Sequence, residues 1–145
     1  MFLEALATIC AGLFAGAAIY ITFVEHPSRL ECGTELAATQ FGPSYRRATI
    51  MQASLAAVGL GTGLLCWARG RSVAVLVGSL LLGLVIPFTL LVILPTNKRL
   101  LDPNFDRKSP EAATLLERWG WLHAVRSVLS GVAFGILVWH LAGPS

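Results

Sequence analysis

Four long stretches of apolar residues, nearly free of charge, constrain the fold of this chain more than any other feature. They cover residues 5–24, 48–68, 72–94 and 119–141, and a membrane-spanning helix needs about 20 such residues. Strand-type alternation of apolar and polar residues is absent, and inside lipid only helices and closed barrels satisfy their backbone hydrogen bonds. The sequence therefore predicts an all-α fold, a single four-transmembrane-helix bundle in a lipid bilayer.

Composition agrees with a membrane location. Of the 145 residues, 55% are hydrophobic and only 13% are charged, which is far more apolar than a soluble domain of this length. The three cysteines, Cys10, Cys32 and Cys66, form no C-x-x-C pair and have no metal-like spacing. Neither a disulfide framework nor a metal site is expected from them.

Breaks between the stretches predict where the first three helices end. The first stretch stops at Glu25-His26-Pro27, where two polar side chains coincide with a proline, a residue that breaks helices. Only residues 69–71 separate the second stretch from the third. These two helices should therefore form an antiparallel hairpin.

Pro87 lies inside the third stretch. Its ring would clash with the carbonyl of Gly83, and its missing N–H would leave that carbonyl without its helical partner. We expect a kink at Pro87 that helps to open a cavity beside the polar end of the bundle.

The fourth helix should begin before it enters the membrane. Ser109 is a suitable N-cap, Pro110 suits the first helical position, and Glu111 complements the helix dipole. Trp119 and Trp121 lie 20 and 18 residues before Trp139, a rise of about 27–30 Å that matches the hydrocarbon thickness between two aromatic belts. The helix is thus predicted from about residue 110, with its membrane portion starting near Trp119.

Lysine and arginine residues gather at one end of the predicted bundle. Cytoplasmic loops of membrane proteins carry an excess of these residues. The other end of this bundle, where both termini lie, holds only Arg69 and Arg71. We predict that both termini lie outside the cytoplasm. No basic stripe is interleaved with exposed aromatic residues, so nucleic acid is not an expected partner. The cations counted on the cytoplasmic side are Arg29, Arg46, Arg47, Lys98, Arg99, Arg107, Lys108 and Arg118.

Unusual polar residues converge on that same end, and we call them the polar cluster. They end the first and third helices, begin the second, and occupy the first membrane turns of the fourth. Burying such groups against lipid is costly, so intramembrane ionisable residues usually mark functional sites. The members of the polar cluster are Glu25, His26, Gln52, Asn97, Trp119, His123 and Arg126.

Helical spacing places part of the polar cluster on one face. Trp119, His123, Arg126 and Ser130 follow an i, i+4, i+7, i+11 pattern. Arg126 would lie about 10 Å along the axis from Trp119, deep enough that lipid exposure would be unfavourable. We expect it to face the bundle interior. A purely structural alternative is that Arg126 pairs with Glu25 or Glu117 at the interface.

Three short motifs stand out: E-H-P at residues 25–27, P-T-N-K-R-L at residues 95–100, and W-x-x-x-H-x-x-R at residues 119–126. Together they resemble the motifs of the anthrone-oxygenase-like family of small four-helix membrane proteins. The resemblance extends over nearly the whole chain. It implies an enzyme that acts on a hydrophobic small molecule. The implied reaction oxidises an anthrone to an anthraquinone, with O2 as co-substrate and without a cofactor.

That activity would give each member of the polar cluster a role. His123 is the expected base, because a neutral imidazole in a partly desolvated site accepts a proton near neutral pH. Arg126 and Asn97 would stabilise the anionic oxygen. His26 would relay the proton to water, oriented by Glu25. The expected substrate contacts are Trp119, Glu25 and Gln52.

Two other classes of function stay open. His26 and His123 could ligate haem or copper, or bind a quinone, in a membrane redox protein. The protein could instead be non-catalytic and bind a lipid or a partner, with Arg126 holding an acidic head group.

Pairs of glycines spaced i, i+4 give the helices faces that pack closely. They are expected mainly within the bundle, with a homo-oligomer as the alternative. The pairs are Gly12 with Gly16, Gly59 with Gly63, and Gly131 with Gly135.

Overall fold

The computed structural model describes residues 1–70 and 72–143, and every regular element in those ranges is helical. Four helical rods, which we call spans 1 to 4, are each long and apolar enough to cross a membrane. Their bounds are Phe2–Glu31, Thr34–Ala68, Val73–Leu100 and Pro110–Ala142. The predicted fold class, an all-α bundle of four membrane-spanning helices without strands in the described residues, is confirmed.

Spans 1 and 3 are not uniform α-helices. Span 1 consists of α1 (Phe2–Tyr20), a π-helical segment π1 (Ile21–Glu25) and α2 (His26–Glu31). Span 2 is the single helix α3 (Thr34–Ala68), and span 4 is the single helix α7 (Pro110–Ala142). Span 3 consists of α4 (Val73–Gly83), α5 (Val85–Phe88), a second π-helical segment π2 (Thr89–Ile93) and α6 (Leu94–Leu100).

Neighbouring spans pack in a closed ring. Span 1 packs against spans 2 and 4, and span 3 packs against the same two, so spans 1 and 3 lie diagonally across the bundle. One apolar core fills the part of the bundle away from the polar cluster, with Phe14, Ala56, Leu82 and Leu137 buried together. A second core lies at the polar end around Phe41, Leu100, Leu116 and Trp119.

The prediction that the first helix ends at Glu25-His26-Pro27 is wrong. The helix continues through Pro27 to Glu31, and π1 comes directly before the turn that holds the proline. In an α-helix the proline ring would clash with a carbonyl of the preceding turn. A π turn is wider than an α turn, so it moves the preceding carbonyls away from the ring. In span 3, π2 precedes Pro95 in the same way.

The second helix also begins earlier than residue 48. It starts at Thr34, after Gly33 with its positive φ of 90°, and it contains Pro43. Apolar length detects only the part of a helix that lies in lipid. The added turns are stabilised by burial of Ala37, Ala38 and Phe41 in the core at the polar end.

The turn between spans 2 and 3 and the interruption of span 3 follow the sequence prediction. Gly70 has a φ of 72°, a conformation that glycine adopts without strain, and Ser72 caps α4 by accepting from the Ala74 N–H at 3.1 Å. Further along, α4 ends at Gly83, the residue whose carbonyl the Pro87 ring opposes, and only Leu84 separates it from α5.

Span 4 begins as predicted. The Ser109 hydroxyl accepts a hydrogen bond from the Ala112 N–H at 3.2 Å, and Pro110 occupies the first turn. The resulting helix of 33 residues carries the W-x-x-x-H-x-x-R motif on its buried side.

Only some of the glycine pairs mediate close packing within the chain. A Cβ at Gly59 would lie 2.5 Å from Leu82, and one at Gly63 would overlap the Ser79 side chain. Gly131 and Gly135, in contrast, have no atom of the described chain within 4 Å of a Cβ position. A homo-oligomer stays a prediction.

Replacing Gly63 with alanine should destabilise the hairpin of spans 2 and 3, because the added methyl group meets Ser79 across the helix contact. Overpacking of this kind costs about 1–3 kcal/mol. Gly61→Ala is the matched control, since a Cβ at Gly61 meets nothing within 4 Å. Thermal unfolding in one detergent should rank Gly63→Ala below the wild type and Gly61→Ala at or above it. Equal melting temperatures for the two variants would contradict this packing.

The orientation in the membrane is a separate prediction. A reporter fused after Ser145 should be active only on the non-cytoplasmic side, because the cations concentrate at the opposite end of the bundle. Arg71, one of the two counted at the terminal end, lies outside the described residues. A cytoplasmic reporter signal would reverse the orientation.

Candidate functional site

The buried face of span 4 brings the core of the polar cluster together. Trp119, His123, Arg126 and Ser130 are 5%, 1%, 9% and 0% exposed, so all four point into the bundle. The single inward face predicted from their spacing is therefore present.

Arg126 is a buried cation without a carboxylate partner in the described residues. Its Nη2 donates to Gln52 Oε1 at 2.7 Å, and its guanidinium lies 5.4 Å from the centre of the Phe14 ring. Its Nε is buried and has no hydrogen-bond partner there. The alternative of an ion pair with Glu25 or Glu117 does not occur; Glu25 pairs with another cation.

His123 is held by a hydroxyl pair and by an aromatic ring. Its Nδ1 lies 3.1 Å from Thr22 Oγ1, which lies 2.7 Å from Ser127 Oγ. The imidazole stacks on the Trp119 indole, with ring centres 4.7 Å apart and planes inclined at 29°. Thr22 belongs to π1, so span 1 fixes the orientation of a side chain on span 4.

His26 packs against the same indole. Its ring centre lies 5.1 Å from that of Trp119, and it is 6% exposed. Within the described chain, both ring nitrogens lack a partner at hydrogen-bond geometry; the Leu116 backbone is near enough to interact but does not complete such a bond. A Cβ at Gly120 would lie 2.6 Å from Nε2 of His26. Gly120 therefore leaves the space that the imidazole occupies.

Glu25 belongs to a hydrogen-bonded network at the polar end. Its Oε1 accepts from Arg29 Nη2 at 2.6 Å, from Ser44 Oγ at 2.6 Å and from Gln40 Nε2 at 3.2 Å. Arg29 is 6% exposed and stands 5.7 Å from the centre of the Trp119 ring.

Sequence reasoning missed Arg29 as part of the site. It counted Arg29 as a loop cation because the first helix was expected to end before it. The i, i+4 spacing of Glu25 and Arg29, typical of an ion pair on one helix face, was the available signal.

Asn97 lies outside the cavity that His123 and Arg126 share, and so do Glu25 and His26. Asn97 is fully buried on α6, and neither atom of its amide has a hydrogen-bond partner among residues 1–70 and 72–143. Its role as a second oxyanion donor stays a prediction.

Two adjoining spaces meet at Arg126. The first, which we call the inner cavity, has a volume of about 20 Å³, enough for about one water molecule. The second, the outer cleft, has about 130 Å³ and lies between spans 2 and 3. Tyr45, Thr49, Gln52 and Arg126 line both. The inner cavity is also lined by Ile21, Arg29, Phe41, Ser44, Ala48, Trp119 and His123.

Tyr45 and Thr49 are further lining residues that the sequence did not reveal. Tyr45 precedes Gln52 by about two turns and Thr49 by about one turn on the same helix. An expected helix start at residue 48 excluded Tyr45 from any such face. The i, i+4, i+7 spacing of these three residues would have found them once the helix was extended.

The described chain contains no group of three or more His, Cys, Asp or Glu residues that could hold a metal ion. His26 and His123 both pack on Trp119. A haem or copper ion held by these two imidazoles would thus have to share their space with the indole.

Gly120→Ala should displace the His26 imidazole, because the new methyl group would occupy the place of its Nε2 edge. We expect a changed chemical shift for the His26 ring and a smaller change for the His123 ring, because the atoms nearest to a Cβ at Gly120 all belong to His26. Gly131→Ala, on the same helix with open space at its Cβ position, is the matched control. An unmoved His26 resonance in Gly120→Ala would show that this contact does not position the ring.

Comparison with known proteins gives one match. The family model for anthrone oxygenase matches residues 41–136, a range that includes Gln52, Asn97, Trp119, His123 and Arg126 but neither Glu25 nor His26. No curated protein and no solved structure matches the chain. Since the matched range covers well over half of the sequence, the chain belongs to the anthrone oxygenase family.

Proposed function

We propose that this protein is a membrane-embedded oxygenase that oxidises an anthrone-like polycyclic phenol with O2 and needs no cofactor. Family membership supports the reaction class. The observation that carries the proposal is that a buried guanidinium, with no carboxylate partner among residues 1–70 and 72–143, shares the inner cavity with a buried imidazole. Such a pair suits a reaction that removes a proton and creates an anion.

The reaction balances without a metal ion. A base removes one proton from the acidic CH2 group of the anthrone, and the electron pair delocalises onto the ring oxygen. The resulting anion reduces O2 and forms a C–O bond to it, giving a peroxide. Loss of water from the protonated peroxide leaves the second carbonyl. One anthrone and one O2 thus give one anthraquinone and one water.

His123 is the base in this proposal. This role needs the tautomer with the proton on Nδ1, which then donates to the Thr22 hydroxyl 3.1 Å away and leaves the Nε2 lone pair to accept the substrate proton. The Thr22 hydroxyl lies 2.7 Å from Ser127 Oγ. A neutral imidazole suits this task near neutral pH. The stack on Trp119 fixes the plane of the ring.

Arg126 stabilises the oxyanion. Its charge is held in place by Gln52 before the substrate binds, and a preorganised donor in a water-excluded site is worth more than the same donor in water. Asn97 could act as the second donor only if the substrate or α6 moves, because it lies outside the inner cavity.

The remaining members of the cluster serve the proton and the positioning of the rings. His26 packs against Trp119, and within the described chain neither of its ring nitrogens has a partner at hydrogen-bond geometry. It can carry a proton toward the network of Glu25, Arg29 and Ser44. Trp119 contacts the imidazoles of both His26 and His123, so its main contribution is to hold the two rings in place and apart. Stacking of a substrate on its indole stays a prediction.

His123→Gln should lower the rate of anthrone-dependent O2 consumption by about 10²–10⁴-fold, the usual contribution of a general base. Arg126→Gln should lower it by about 10²–10³-fold, as for the loss of an oxyanion donor. His140→Gln is the control, because His140 lies at the opposite end of the bundle near Glu4. Rates are measured in lipid nanodiscs and corrected for spontaneous oxidation of anthrone.

Wild-type protein that consumes no O2 with any anthrone would refute the oxygenase. If it still binds an anionic aromatic through Arg126, the non-catalytic binding protein becomes the better account. Unchanged melting temperatures must accompany any loss of rate, since a folding defect would mimic a catalytic one.

A further inference from the structure

The outer cleft is apolar along its length and charged at its inner end. Side chains of spans 2 and 3 form its walls, among them Ala53, Ala56, Ile86 and Leu90, and Arg126 and Gln52 close its base. The wall formed by span 3 includes residues before and after Pro87 in the sequence, such as Ile86 and Leu90. In this region span 3 is interrupted at Leu84 and then continues through α5 into π2. The break in span 3 therefore borders the cleft.

The mouth of the outer cleft opens on the outer surface of the bundle, on the apolar side of spans 2 and 3 that lipid would cover. Leu90 is 56% exposed, Ala53 is exposed on span 2, and both belong to apolar stretches long enough to span the membrane. A molecule dissolved in the hydrocarbon can therefore reach Arg126 without passing through water.

We infer that the outer cleft takes up, from the bilayer, one ring of a flat and weakly acidic phenol, whose oxygen binds Arg126. This inference rests on the proposed function and adds the place where the substrate binds and the route by which it enters. A cavity of about 150 Å³ holds a benzene molecule, so the 130 Å³ of the outer cleft suits a single aromatic ring. The other rings lie in the open mouth between Ala53 and Leu90.

The charge at the base of the cleft selects the occupant. Arg126 makes no ion pair with a carboxylate of the described chain, and both its Nε and the Gln52 Nε2 are buried without partners. A buried cation of this kind is stabilised by an anion that enters its site. A phenol crosses hydrocarbon as the neutral molecule and can ionise beside the guanidinium by passing its proton to the neutral His123 imidazole, which shares the inner cavity with Arg126.

A phospholipid head group fits this position less well. Arg126 is seven residues beyond Trp119, about 10 Å deeper along the helix axis. A phosphate would have to leave the interface to reach it, at a high desolvation cost. Depth thus favours a small lipophilic acid over a membrane lipid.

The test measures binding of 1-hydroxyanthraquinone, a coloured phenol that the proposed reaction does not consume, to protein in phosphatidylcholine nanodiscs. Tryptophan at the mouth should block entry, so Ala53→Trp and Leu90→Trp should each weaken binding by at least about tenfold. Ala57→Trp and Leu91→Trp are the matched controls. They place the same bulk on the same spans, on exposed residues that do not line the cleft, and should bind within about twofold of wild type.

A second measurement needs no variant. Wild-type protein should bind 1-hydroxyanthraquinone at least about tenfold more tightly than anthraquinone, because the latter lacks the acidic hydroxyl that Arg126 would bind. The bound phenol should also show the absorption spectrum of its ionised form. Equal affinity for the two molecules would overturn the inference.

The outcomes separate this inference from the proposed function. If the mouth variants lose binding while wild type consumes no O2 with anthrone, the oxygenase fails and the cleft assignment stands. If the mouth variants bind as well as their controls, or wild type retains no more phenol than empty nanodiscs, the cleft assignment is wrong whatever the activity.

Discussion

The placement of one cation inside the bundle determines much of the rest of this structure. Arg126 lies in the apolar part of span 4, where exposure to hydrocarbon is unfavourable, and it is buried against Gln52 and Phe14 instead. An amide and an aromatic face stabilise a guanidinium only in part, because neither carries a full negative charge. The guanidinium is therefore left without a full counter-charge from the described chain.

Two π-helical segments shape the space around that cation. π1 and π2 lie on spans 1 and 3, which are diagonal neighbours, and each is followed by a proline that starts a short α-helix. A π turn adds a residue to the helical circuit and often occurs at functional sites. Here π1 supplies Thr22 to His123 and carries Glu25, while π2 supplies Thr89 and Leu90 to the outer cleft.

Apolar length and spacing were enough to predict the four spans, the hairpin at Gly70, the Ser109 cap and the inward face of Trp119, His123 and Arg126. Apolar length and spacing failed where the surrounding structure stabilised a helix beyond the boundary that the local sequence indicates. Pro27 does not end its helix because π1 widens the preceding turn. The true start at Thr34 was hidden because the early turns of α3 are stabilised by tertiary packing rather than by lipid. Those two errors concealed Arg29 and Tyr45, and no local pattern reveals that Asn97 lies apart from the inner cavity.

We propose above all that Arg126 binds an aromatic oxyanion next to His123. A structure of the protein in lipid with 1-hydroxyanthraquinone bound tests this most directly. The phenolic oxygen should lie within hydrogen-bond distance of the Arg126 guanidinium, with the ring between spans 2 and 3. Density for the phenol elsewhere, with Arg126 turned outward to a lipid phosphate, would contradict it.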